Sequence, residues 1–280
     1  MLYSILFWLL SAQTVVKPCP CRHYGVPHVK IHKIDSKKLP QCVTESSGLL
    51  IINDTMLTIN DSGGLPFLYR TTTAGSLIDS VLVPDAKNSD WEALTYDRQS
   101  GVIYIGDFGN NNNNRTDLCV YKYQTGAKTQ KLLFTYTNQH EFPPNKRENW
   151  LFDCEAMVTL NSSIFLFSKH KCSNQEMIYQ MSVDSLSQKL YPLFRFKIRE
   201  RITGATMLSN DLIACLSYGK ILIYKMIFAD RRLIDLQLVK CKRIPFARQS
   251  EGITYDSVSK LLYVSNEQRD LYVFKLCFED

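Results

Sequence analysis

The chain repeats itself, and that repeat decides what it can fold into. The segments Glu45-Ser-Ser-Gly-Leu-Leu, Glu92-Ala-Leu-Thr-Tyr, Glu155-Ala-Met-Val-Thr, Thr203-Gly-Ala-Thr-Met and Glu251-Gly-Ile-Thr-Tyr share one pattern, a polar residue leading a short apolar strand. Their starts lie 47, 63, 48 and 48 residues apart. Each unit ends a second strand on a polar cluster, at Asn60-Asp61-Ser62-Gly63, Gly106-Asp107-Phe108-Gly109, Ser168-Lys169-His170, Ser217-Tyr218-Gly219 and Ser265-Asn266-Glu267. A third strand follows in every unit and a fourth in the first four. Four short strands rich in β-branched and aromatic residues, recurring at about 40–50 residues, are the pattern of β-propeller blades. No long window carries a helical period.

The fifth unit stops at Asp280 without its fourth strand, while His28–Asp35 alternates like a strand ahead of the first unit. Placing 28–35 on the last blade closes the ring and removes an open edge. The expected fold is therefore all-β, a five-bladed β-propeller of four-stranded antiparallel blades closed by an N-terminal strand. The blades cover about 43–88, 89–140, 151–200, 201–248, and 249–280 with 28–35, within one domain over 13–280. Six blades with one unit overlooked, or a β-sandwich, are the alternatives. Residues 1–12, a short apolar run ending in small residues, read as a signal peptide, which implies a secreted protein. No other segment approaches the length of a membrane span.

Propeller topology fixes where the polar residues go. The innermost strand of a blade starts, and its hairpin partner ends, at the same end of the sheet. Glu45, Asn60, Asp61, Glu92, Asp107, Glu155, Thr203, Tyr218, Glu251, Asn266 and Glu267 then crowd one mouth of the ring with Lys169, and Asp90 and Asp153 sit two residues before Glu92 and Glu155. Carboxylates so confined raise one another's pKa unless cations answer them. Calcium, which takes about 6–8 oxygen ligands, suits Glu45, Asn60, Asp61, Glu92, Asp107, Glu155, Glu251, Asn266 and Glu267. The competing reading has each Glu bind the next blade's backbone and hold the ring shut. The Asn-rich loop 109–117 and the insert 137–150 emerge on this face, where specificity commonly resides; the insert reads as a lid, a partner arm or a plain solvated insertion.

Nine cysteines in a secreted chain favour some disulfides. The topology brings Cys154 near Cys172, and Cys277 near Cys19 or Cys21. Sequons at Asn53, Asn114 and Asn161 are glycosylation candidates, with Asn53 and Asn161 on the face opposite the acids. Asn60, also in a sequon, is read as a site residue. No GxSxG, HExxH, P-loop or Rossmann motif is present, which leaves Lys169, His170 and Asp107 as the catalytic candidates, with His170 placed to serve as a general base.

The motifs ESSGL–NDSGG–LYR, DWEAL–YIGDFGNN, FDCEAM–LFSK, ITGA–SYG and SEGI–SNE, in that order over about residues 43–275, resemble a family of largely uncharacterised secreted β-propeller proteins. The resemblance implies a propeller with an acidic axial site and no established activity. Ala93, Asn110-Asn111 and Gly252 depart from the family's DWED, GDN and EA motifs and remove some possible ligands. A weaker architectural similarity is to five-bladed calcium-dependent apyrases and to phytase-like and lactonase-type propellers. The expectation is a binding or interaction module with an axial calcium, taking a small molecule or protein on its acidic face. A calcium-dependent hydrolase of phosphate esters, nucleotides or lactones at the same site is the alternative. The net charge of +6 belongs on this reading to the outer strands and loops, so neither nucleic acid nor membrane is expected as a partner.

Overall fold

The computed structural model describes residues 28–170 and 175–279. The signal-peptide reading of 1–12 and Cys19, Cys21 and Cys172 lie outside the described residues. Within the described residues the regular structure is strand throughout, apart from one 3-10 turn at Arg147–Asn149.

The strands form five antiparallel blades. Blade 1 is Ser46–Ile52, Thr55–Asn60, Phe67–Thr72 and Leu77–Leu82; blade 2 is Trp91–Asp97, Val102–Asp107, Cys119–Tyr123 and Gln130–Tyr136. Blade 3 is Asp153–Leu160, Ser163–Lys169, Gln175–Ser182 and Pro192–Lys197; blade 4 is Ile202–Met207, Leu212–Ser217, Lys220–Ala229 and Arg232–Arg243. Blade 5 is Ser250–Asp256, Leu261–Asn266 and Asp270–Glu279, completed by His28–Lys38. That closing strand pairs from His28↔Glu279 to Lys38↔Asp270, three residues longer than the sequence pattern indicated.

Central strands such as Val102–Asp107 and Leu212–Ser217 are buried at every position. A continuous apolar run is what a strand needs when both faces are covered, and here each blade lies between two others. The core is accordingly divided into five hydrophobic clusters, one per blade interface. Trp91 and Ile105 meet Ile59 and Leu68 between blades 1 and 2, Tyr104 and Phe134 meet Met157 and Tyr179 between blades 2 and 3, and Phe165 and Phe167 meet Ile202 and Ile213 between blades 3 and 4. Blades 4 and 5 share Leu216, Ile223 and Phe274, and blades 5 and 1 share Val273, Leu49 and Met56.

The inner strands contact one another in a closed cycle around the axis. Each carries a β-bulge near its start, at Ser47, Glu92, Glu155, Thr203 and Glu251. A bulge places an extra residue against its partner strand and re-aims that residue's side chain. The residue after it is always Gly or Ala: Gly48, Ala93, Ala156, Gly204, Gly252. Neighbouring inner strands nearly touch there. A Cβ on Gly204 would lie 2.1 Å from the Glu251 carbonyl oxygen, and one on Gly48 would lie 3.0 Å from the Leu94 nitrogen.

One strand was not legible in the sequence. Ser187–Leu190 leaves blade 3 and pairs in parallel with the outer strand of blade 2, Leu190 opposite Tyr136. Its sequence, SQKL, carries no strand pattern, and its pairing comes from the neighbouring blade. The expected bridge between Cys154 and Cys172 is also not found: Cys154 is unbridged and buried, and its thiol donates to the Phe167 carbonyl at 3.2 Å. Cys277 is unbridged and exposed.

The close approach at Gly204 sets a quantitative expectation. Gly204→Ala should lose about 1–3 kcal/mol of unfolding free energy through overpacking against rigid backbone. Gly64→Ala, with nothing within 4 Å of the new Cβ, should change it by less than about 0.5 kcal/mol. Denaturant midpoints of the two variants check this.

Candidate metal centre

The bulge register corrects the alignment of the repeats. Gly48, Ala93, Ala156, Gly204 and Gly252 are equivalent, so the residues aimed at the axis are Ser47, Glu92, Glu155, Thr203 and Glu251. Glu45 is two residues earlier than the position first given to it and corresponds to Asp90 and Asp153. It is exposed at the rim, whereas Ser47 is buried.

The two hydroxyl members tie blades together. Ser47 Oγ donates to the Trp91 carbonyl at 2.7 Å, and Thr203 Oγ1 donates to the Ser250 carbonyl at 2.6 Å. The blade-tying role considered for the glutamates thus falls to the hydroxyls. The acids have other partners or none. Glu155 Oε1 accepts from Lys169 Nζ, both groups being buried, while Glu155 Oε2 is buried with no hydrogen-bond partner. Lys169 also reaches the Tyr218 hydroxyl at 3.3 Å. Such a pair is costly to break from one side, because it leaves a buried charge uncompensated.

Asp61, Asp90 and Glu92 converge from blades 1 and 2, and their ligand oxygens all lie within 4.8 Å of one another. Two buried side chains hold them there. Asn88, in the connection between the blades, donates from Nδ2 to the Asn60 and Asp61 carbonyls at 3.0 and 2.6 Å and accepts from the Trp91 nitrogen. The second is Asp107, whose Oδ1 accepts from the Asp90 nitrogen at 3.0 Å. Gly109 backs the cluster: a Cβ there would fall 2.3 Å from Glu92 Oε1 and 2.4 Å from Asp90 Oδ2, so a larger residue would fill the space between the carboxylates. Glu92 is 3% exposed, and no hydrogen-bond donor among the described residues reaches its carboxylate.

The Asn-rich loop turns out to be a clamp. Asn110 Oδ1 accepts from the nitrogens of Asn114 and Arg115, and the Asn110 nitrogen donates to Asp153 Oδ1 at 2.8 Å. Asn113 Oδ1 accepts from the Phe152 nitrogen, and Gln139 of the insert donates to the Asn113 carbonyl. The loop thereby delivers Arg115, whose Nη2 donates to Asp107 Oδ1 at 2.9 Å and whose Nη1 donates to the Gly109 carbonyl at 2.8 Å. Asp107 is thus a guanidinium partner, set apart from the three-acid cluster. Sequence reasoning missed Arg115 and Asn88; the spacing of Arg115 after the GDFG turn was the one available signal.

The other expected ligands are also engaged or apart. Asn60 Nδ2 donates to the Cys42 carbonyl. Asn266 exchanges hydrogen bonds with Asp270, and Glu267 Oε2 accepts from Gln249 at 2.6 Å. His170 is buried, and burial, followed by the nearby Arg201 charge, lowers it to about 4, so the ring is neutral at pH 7. Asn53, Asn114 and Asn161 are exposed. The far end of the axis opens into a cavity of about 320 Å³ lined by Leu50, Thr95, Thr206 and Thr254 among others. Its one carboxylate, Asp97, caps its own turn through Gln99 and Ser100. The acids therefore gather at one end only.

Burial, reinforced by Asp61, raises Asp90 to about 7. Burial holds Glu92 well above the usual carboxylate range, with Asp61, Asp90, Asp153 and Glu251 adding to it. Glu251 rises to about 8, again through burial, against the lowering effect of Lys169. No protein-family model matches the chain, and no curated protein sequence matches it. Among solved structures, a chain of the "Crystal Structure of Mitotic Checkpoint Complex" is similar at 10% identity with a TM-score of 0.42. The match covers 80% of this chain and 62% of that one, less than two thirds of its length.

These raised values fix a sign. The folded chain holds protons that the unfolded chain releases, so the contribution is fully favourable below the ordinary carboxylate pKa of about 4. It is lost as pH rises through about 7 for Asp90 and about 8 for Glu251. Metal-free protein should therefore melt at progressively lower temperature across that window, and Asp90→Asn should flatten the slope. Thermal melts in chelator over the pH range measure both.

Proposed function

We propose that the acidic mouth binds one divalent hard cation, calcium first, through Asp61, Asp90 and Glu92. On this reading the chain is a secreted binding module that presents the bound ion and its acidic surround to a small molecule or protein. The observation that carries it is the convergence of three carboxylates from two blades, with Glu92 buried. Among the described residues, two cations near the mouth are already engaged, Lys169 by Glu155 and Arg115 by Asp107. The cluster's charge then has two remedies, protons or a metal. All-oxygen donors of flexible carboxylate type suit calcium, which accepts irregular coordination, better than magnesium, which demands a near-ideal octahedron.

Protons and metal compete for the same oxygens, so binding should release protons and tighten as pH rises. Calcium at a hundredfold excess over its dissociation constant should add about 2.7 kcal/mol of stability, and chelator should remove it. Titration calorimetry should give one ion per chain, and Glu92→Gln should abolish the heat while the circular dichroism stays that of the folded protein. Absence of any calcium-dependent heat or melting shift in the wild type would refute the proposal.

A further inference from the structure

The two ends of the axis differ in chemistry. Acids fill one; the other opens into the cavity of about 320 Å³, whose lining is dominated by hydroxyl and amide side chains. Only Asp97 and Arg98 carry charge there, and Asp97 already accepts from the Gln99 nitrogen and the Ser100 hydroxyl of its own turn. Burying an ion without a partner is costly, so this end suits an uncharged ligand. The volume lies at the lower end of the roughly 300–1,000 Å³ of small-molecule clefts, which is room for one small molecule.

The hydroxyls come from the same register that builds the acidic mouth. Thr95, Thr206 and Thr254 stand two residues after Ala93, Gly204 and Gly252, hence on one face of each inner strand. All three line the cavity, and Thr95 and Thr254 are 7 and 3% exposed. A hydroxyl both donates and accepts. Thr95 Oγ1 accepts from the Thr159 nitrogen at 3.1 Å, which leaves its proton to donate. Blade 1 has Leu50 at the equivalent place, so one wall is apolar, and Tyr255 adds aromatic surface. At the rim, exposed hairpin turns contribute the amides of Asn161 and Asn210. Hydroxyls on three blades and an aliphatic wall on a fourth match a sugar ring, whose edge donates and accepts hydrogen bonds while its C–H faces are apolar.

We propose that this cavity binds one neutral sugar ring, hydrogen-bonded by Thr95, Thr206 and Thr254 and packed on Leu50 and Tyr255. The site lies at the opposite end of the axis from the acids, so its occupation does not depend on the cation. A free monosaccharide and the terminal unit of a glycan offer the same chemistry. They differ in whether the anomeric oxygen is free or substituted.

Asn161 also stands in a sequon, so the test uses the full chain made without glycans. Saturation-transfer NMR and titration calorimetry are run in chelator with D-glucose, D-galactose, D-mannose and N-acetyl-D-glucosamine, at up to about 10 mM. The expected result is one molecule of at least one of these sugars bound per chain. Thr206→Val and Thr254→Val should each weaken it about tenfold, the loss of one hydrogen bond, with melting retained. Thr206→Ser, which keeps the hydroxyl, should bind as the wild type does. Binding of the sugar's methyl glycoside as well identifies a glycan terminus, and its exclusion identifies a free sugar; both support the site. No sugar bound at that concentration, the cavity holding water only, overturns the proposal. So does an unchanged affinity in both valine variants, or tighter binding of the same sugar's 6-phosphate.

Discussion

The structure depends on how closely five inner strands approach at one level of the axis. At Gly48 and Gly204 the backbone of the neighbouring inner strand occupies the space a side chain would need, and the equivalent residues of the other blades, Ala93, Ala156 and Gly252, are small as well. A bulge immediately before the small residue turns the preceding side chain toward the axis in every blade. Packing and chemistry are therefore coupled through one local device. The small residue lets the ring close, and the bulge beside it decides which five side chains share the mouth.

What those five residues are then sets the electrostatics. Ser47 and Thr203 bind the next blade's backbone, while Glu92, Glu155 and Glu251 bring charge. Lys169 answers Glu155 from the partner strand. Arg115 answers Asp107, held in place by asparagines that also clamp blade 2 to blade 3. Among the described residues Asp61, Asp90 and Glu92 take no ion-pair partner, and burial multiplies their repulsion because the interior screens charge less than water does. A chain with net charge +6 thus concentrates negative charge at one end of its axis and spreads its lysines and arginines over outer strands and loops. The overall charge describes the rim of the molecule and misdescribes its mouth.

The blades were readable from the sequence because the repeat survives in the strands that are buried on both faces, where apolar residues are demanded at every position. Closure by the N-terminal strand was readable because the fifth unit lacked a strand. The acidic mouth followed from topology. Its membership did not. Aligning the units on their leading Glu placed Glu45 beside Glu92, whereas the sterically constrained residue is the Gly or Ala that follows the bulge. Alignment on Gly48 moves Glu45 to the rim and gives Ser47 the axial place. Asp107 and Asn60 looked like ligands because residue type says nothing about which partner a side chain takes. The Arg115 and Cys42 carbonyl contacts that occupy them arise from loop geometry. Ser187–Leu190 was invisible because its pairing is supplied by another blade.

The central claim is that ring closure gathers Asp61, Asp90 and Glu92 into a cation site. A crystal grown with calcium and examined by anomalous scattering tests it most directly. The account predicts one peak between the three carboxylates with metal–oxygen distances of about 2.3–2.6 Å, Glu92 contributing an oxygen and Arg115 still on Asp107. A map with no peak there, and carboxylates paired with one another across shared protons in the presence of calcium, would contradict it.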